Sequence, residues 1–215
     1  MTTDPSTNQS SETPKKAERS IKPLILVLLV SLAPVIAAFL VYYNPQWRPD
    51  GNVNYGTLVE PQRPMPSAAE LPLTTLDGEP FDFNDLRSQW LLIAADGAAC
   101  PEECAKKLYI LRNTHAMTGK HVERLTRVWF ITDDAEVPQK VLDAYVGTIM
   151  LRVDPDDLAK FLTVPEGMAN AEEALAVPMW IMDPLGNLIL EYPKDPDPLK
   201  VRKDIGKLLH SSRIG

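Results

Sequence analysis

Apolar and polar positions along the chain fall into one long uninterrupted apolar block followed by a series of short patterned segments. Leu24 to Tyr43 (LILVLLVSLAPVIAAFLVYY) carries no charge. Twenty helical residues at about 1.5 Å each span roughly 30 Å, the thickness of a bilayer core. A soluble helix of that length would show a polar face, so the block predicts a single membrane-spanning helix. Pro34 lies mid-span, where a membrane helix tolerates it. Beyond residue 70 the segments shorten. LPLTTL (71–76), the Asp77-Gly78 turn and PFDF (80–83) predict a small β-hairpin. WLLIAA (90–95) is apolar throughout, as expected of a strand covered on both faces. PEECAKKLYILRNTHAM, with Pro101 at the first helical position, places Cys104, Leu108, Leu111 and His115 on one helical face. RVWFIT (127–132) predicts a second strand, Pro138 to Val146 a short helix, Met150–Val153 a short strand, and DPDDLAKFL (154–162) another helix. PMWIM (178–182), a turn over 183–187 and LILEY (188–192) predict a second hairpin. Asp197 is placed to cap a last helix that has Pro198 at its first position and ends near His210.

The order β-α-β-α-β-β-α, with a long helix opening straight after the buried strand, predicts an α/β protein: a thioredoxin-like sandwich preceded by a single N-terminal transmembrane helix. Four regions follow: a disordered tail over 1–20, the anchor over 21–43, a proline-rich linker over 44–70 and the folded domain over 71–211. The linker assignment rests on Pro45, Pro49, Pro61, Pro64 and Pro66, which read as a semi-rigid spacer.

Charge refines this picture. The 215 residues carry a net charge of −7, of which residues 1–23 hold +1 and the remainder −8. There is no basic footprint for nucleic acid. Lys15, Lys16, Arg19 and Lys22 precede the apolar block, and Tyr42, Tyr43 and Trp47 follow it with Arg48 as the only nearby base. That asymmetry predicts a cytoplasmic N-terminus and an exported C-terminal domain, as for a single-pass protein of a bacterial inner membrane facing the periplasm. A cleaved signal peptide is the rival, but the block is longer than a signal core and no small-x-small site follows it.

The candidate chemistry lies in the only two cysteines, Cys100 and Cys104. Residues four apart on a helix face each other, and a helix N-terminus favours thiolate. Glu102 and Glu103 between them oppose that effect. The pair suits thiol–disulfide exchange, and two adjacent thiolates also suit Cu(I). The acidic groups Asp133-Asp134 and Asp154-Asp156-Asp157 lack the spacing of a calcium loop and read as helix caps and solvated faces.

LPLTTLDGEPFDFNDLRSQWLLI, then ACPEEC, VWFITDD and MWIMDPLGNLI, together resemble the Sco/SenC family of membrane-anchored, thioredoxin-fold proteins. The resemblance covers about residues 71–210 and the anchor. It implies a role in maturing the copper centre of cytochrome c oxidase. It also implies that Cys100 and Cys104 are the redox and copper-binding cysteines, and that the oxidase's copper-binding subunit or another copper chaperone is the partner. Three positions depart from the family. Leu175 stands near where its third copper ligand, a histidine, is expected; Ala95-Asp96-Gly97 replaces an aromatic-rich approach; Ala105 stands where proline is common. No histidine lies in 122–209. His115, His121 and His210 read as structural or solvent-facing, while Met179 could offer a soft thioether to Cu(I). Val177-Pro178-Met179 resembles the cis-proline element of thioredoxin-like oxidoreductases, which implies a cis bond at Pro178 opposite the cysteines. Three functions stay open: reduction of partner cysteines through Cys100 and Cys104, with copper as an optional ligand; Cu(I) carriage by the two thiolates; and a non-catalytic assembly scaffold.

Overall fold

The computed structural model describes residues 21–47 and 54–214. The expected tail, with Lys15, Lys16 and Arg19, and the positions Arg48 and Pro49 lie outside the described residues. The chain divides into two compact units, Met1–Gly51 and Asn52–Gly215.

The first unit contains helix α1, Lys22–Tyr43, with no buried residue and Pro34 in its interior. It is near the N-terminus and long and apolar enough to cross a membrane. Those properties suit an anchor and a signal sequence alike. Near its end Phe39 stacks on Tyr43, with centroids 5.7 Å apart.

The second unit is an eight-stranded sheet in the order β1-β8-β7-β4-β5-β6-β2-β3. At its centre lies β4 (Trp90–Asp96), parallel to β5 (Leu125–Ile131) and antiparallel to β7 (Met179–Met182). The strand β6 (Ile149–Arg152) continues the parallel set, and β8 (Asn187–Tyr192) forms the hairpin with β7. The predicted first hairpin is β2 (Leu73–Thr75) with β3 (Pro80–Phe81), turning through Gly78 at φ +82°.

Strand alternation divides the core in two. Leu91, Ile93 and Ala95 of β4, Val128 and Phe130 of β5, and Trp180 and Met182 of β7 point to one face. There they meet Leu158 and Phe161 of α4 (Pro155–Phe161) and Leu175 of α5 (Ala171–Leu175). On the other face Trp90, Leu92, Ala94, Trp129, Ile131, Met179 and Ile181 pack under α2 (Glu102–Ala116) and α6 (Pro198–Ser211). A short α3 (Gln139–Ala144) closes that side through Val141 and Leu142. A two-residue period on every central strand thus produces a sheet covered on both faces.

Two expectations need correction. Residues 57–64, expected within a spacer, form strand β1 (Thr57–Pro64), antiparallel to β8, with Val59 buried. Pro61 and Pro64 are admissible because β1 is an edge strand, where one side of the ladder needs no donor. Arg63 also ties it to the body of the domain, donating to the carbonyls of Phe161 (3.0 Å) and Leu162 (2.9 Å). The second correction concerns Pro178. Among the described residues the one cis peptide bond is Glu60–Pro61, so Val177–Pro178 is trans. Pro178 immediately precedes β7, a place where a trans proline without an N–H fits.

Candidate functional site: a disulfide at the head of a helix

The central strand β4 delivers the chain to the cysteines. From Asp96 the backbone turns sharply: Cys100 N–H donates to the Gly97 carbonyl at 3.1 Å, and Cys100 itself adopts φ +43°. Such a backbone is strained for a residue with a Cβ. Pro101, expected at the first helical position, is instead the N-cap in extended conformation, with Ala105 N–H donating to its carbonyl at 2.9 Å. Cys100 and Cys104 are joined as a disulfide, with Cα atoms 5.0 Å apart. Cys104 is fully enclosed, whereas Cys100 keeps 9% of its surface exposed. Cys100 is thus the less enclosed of the two residues, and Cys104, the third residue of α2, shares a core cluster with it, Leu108 and Trp129.

Two carboxylates shape the loop, and neither role was legible in the sequence. The Asp133 carboxylate accepts from the N–H groups of Ala98 (3.1 Å) and Ala135 (3.1 Å). It lies so close to Gly97 that a Cβ there would stand 2.6 Å from its Oδ2. Asp133 is therefore a brace for the cysteine loop rather than a solvated residue. Asp96, at the end of β4, forms a buried ion pair with Lys107 at 2.9 Å. The Lys107 ammonium also donates to the carbonyls of Ala95 (2.7 Å) and Ala176 (2.6 Å), so its three protons are all placed. Burial pushes Lys107 below the usual lysine value, and the Asp96 carboxylate pulls it part of the way back. Lys107 lies on the buried face of α2, three residues beyond Cys104 and one before Leu108, but that spacing does not point to Asp96 as its partner.

Of the other candidates only Met179 shares a core cluster with the cysteines. Leu175 is fully buried in the opposite core cluster, so an apolar side chain fills that position. Met179 is fully buried in the cluster that also holds both cysteines, pairing with Ala94 across β4 and β7. His115 is in the last turn of α2, eleven residues past Cys104 and so about 16 Å along the helix. Burial and the nearby Arg127 lower its pKa. His121 sits 3.2 Å from Arg124 Nη1, and His210 is in the last turn of α6. Among the described residues no three His, Cys, Asp or Glu side chains converge as a metal site. The donor set fits two-thiolate binding of a soft cation and not a site with an added imidazole.

A groove of about 890 Å³ runs along the N-terminal half of α2, bounded by Pro101, the 173–177 segment and the 194–198 segment.

A disulfide opening the first helix after the central strand of a sheet with helices on both faces defines a thioredoxin-like disulfide protein. Over residues 90–212 the chain belongs to the family described as transmembrane-like, thioredoxin-like, C-terminal domain. Solved structures of Sco proteins share the fold at low identity. The copper-bound ScoI of Arabidopsis thaliana superposes with a TM-score of 0.52 at 16% identity, over 74% of this chain and 99% of its own. The apo Sco1 of Thermus thermophilus gives 0.53 at 16%, over 75% and 98%. A SCO1/SenC family lipoprotein from Bacillus anthracis gives 0.50 at 16%, over 70% and 98%. No curated protein matches the chain in sequence.

Proposed function

We propose that the chain is a membrane-anchored thiol–disulfide protein of Sco type that reduces the cysteines of a copper-binding partner, the copper subunit of cytochrome c oxidase, before metal insertion. The observation that carries this reading is the Cys100–Cys104 disulfide itself, in which Cys100 keeps 9% of its surface exposed and Cys104 none. In the reduced state Cys100, just ahead of the unpaired N–H groups of α2, is the attacking thiolate. Cys104 then displaces the partner and closes the disulfide. The likeness to Sco structures supports the choice of partner. The basic flank before α1 supports an N-terminus in the cytoplasm and a domain in the periplasm of a bacterial cell.

A second reading is carriage of Cu(I) by the reduced pair. The position of Met179, a soft thioether in the same core cluster as both cysteines, favours it. Exchange ranks first because the described site supplies two thiols and no imidazole. The test is a cell in which the native chain is replaced by the Cys100→Ser/Cys104→Ser variant. Oxidase with an incomplete copper centre, and partner cysteines trapped as disulfide, is the expected result. Normal oxidase with reduced partner cysteines would leave only a scaffold role.

A further inference from the structure

Charge is distributed unevenly over the folded domain. Residues 54–197 hold 12 bases against 24 acids, whereas 198–214, which are α6 and the segment after it, hold five bases and one acid. That acid, Asp204, is buried, and its carboxylate is engaged by the N–H groups of Tyr55 (2.7 Å) and Gly56 (3.0 Å). Val201, Ile205 and Leu209 bury the inner side of the helix. With about 3.6 residues per turn, Lys200, Lys203 and Lys207 then fall on its outer side, beside an exposed Leu199. Among the described residues Lys200, Arg202 and Lys203 form no ion pair. At the far end of α6, Arg124 donates to the carbonyls of Leu209 (2.8 Å), Ser212 (3.0 Å) and Ile214 (2.8 Å), which joins the 119–124 segment to the helix. Desolvation and then Arg124, Lys120 and His210 lower the pKa of His121, so positive groups crowd there too. The near end of the strip is where the chain enters the domain. Tyr55 and Gly56 are fastened to Asp204, and the Tyr55 hydroxyl accepts from the N–H of Asp197, the cap of α6, at 3.1 Å. Eleven residues separate Tyr55 from the end of α1. A chain of that length reaches at most about 40 Å.

We infer that the outer face of α6, together with the 119–124 segment, docks on the anionic headgroups of the bilayer that holds α1, and so orients the domain over the membrane. The inference rests on the membrane-anchored reading above and adds a second, electrostatic contact to it. A bilayer is the anionic surface that the tether itself keeps within reach, at an effective concentration that no freely diffusing protein matches. Bases spread over one exposed helix face, rather than gathered in a cleft, suit a diffuse array of lipid phosphates. The acidic remainder of the domain is repelled by the same surface, so the asymmetry of charge selects one orientation out of the many that a tether permits. The helix α2, which carries the disulfide at its head, packs with α6 on the same face of the sheet. Docking therefore fixes the direction in which Cys100 is presented to a partner.

The test places the full-length chain in nanodiscs of phosphatidylcholine alone, or of phosphatidylcholine with about 30% phosphatidylglycerol as the anionic lipid. Lysines are acetylated with a water-soluble ester. Mass spectrometry reads the rate at Lys203 relative to that at the exposed Lys160 of α4, which packs on the other face of the sheet. Passing from neutral to anionic lipid should lower this relative rate about threefold at low ionic strength, and raised salt should restore it. The variant Lys200→Gln/Arg202→Gln/Arg213→Gln keeps Lys203 as the reporter and should show less than about half of that protection. An unchanged relative rate in anionic lipid would leave the basic face to an acidic protein and overturn the inference. Full protection in the triple variant would overturn it as well, and both results leave the anchor and redox readings intact. Failure of the chain to elute with the nanodiscs overturns the anchor reading and this inference together.

Discussion

At the scale of single residues, the site depends on side chains whose roles only the tertiary structure assigns. Cys100 and Cys104 were legible because their spacing after a buried strand is itself the signal. Asp133 and Lys107 were not. Their residue types are common on surfaces, and nothing local in the sequence places Asp133 beside Ala98, 35 positions away, or Lys107 within 2.6 Å of Ala176. Lys107 carries a specific expectation. Removing one member of a buried ion pair leaves the other charge uncompensated, at a typical cost of about 3–5 kcal/mol. Lys107→Met strands the Asp96 carboxylate at 8% exposure. Urea unfolding of the full chain in detergent, followed by tryptophan fluorescence, should show a loss of that order. A loss under about 1 kcal/mol would mean that the pair carries little of the domain's stability.

At the scale of elements, hydrophobic periodicity and turn residues located strands β2 to β8 and helices α2, α3, α4 and α6 to within a few residues. Asp154 caps α4 as read from the sequence, accepting from the N–H groups of Asp156 and Asp157. Strand β1 was missed because prolines weigh against strands unless the edge position is known. Helix α5 was missed although Asn170 caps it through Glu173 N–H, a signal present in the Asn-x-x-Glu spacing. Five residues are too few to show helical periodicity. The far end of α2 yields a pH effect. His115 lies in its last turn, where the helix dipole would favour a cation, yet burial and Arg127 hold its pKa below the usual histidine value. As pH falls through about 6.5, the unfolded chain takes up this proton before the folded one does, so stability declines between that pH and the lower folded value. Melting temperatures of the full chain in detergent at pH 7.5, 6.5 and 5.5 should therefore fall more steeply for the wild type than for His115→Gln. Parallel slopes would show that His115 titrates alike in both states.

At the scale of the whole molecule, an apolar helix that suits a membrane anchor is joined to a domain whose central strand ends at a disulfide. The loop between strand and disulfide is braced by Asp133 and Lys107, and Cys100 is the less enclosed of the two cysteines. The trans bond at Pro178 is where a likeness to oxidoreductases misled the sequence reading, since a proline entering a strand looks the same in either isomer. The account stands on the unequal roles of the two cysteines, and one measurement addresses it directly. Reduced full-length Cys104→Ser and Cys100→Ser, each in detergent, are mixed with glutathione disulfide and weighed by mass spectrometry over time. Cys104→Ser should accumulate one glutathione on Cys100, while Cys100→Ser, whose remaining thiol is on the buried face of α2, should stay unmodified over the same interval. Equal labelling of the two variants, or preferential labelling at Cys104, would contradict the assignment of Cys100 as the attacking group.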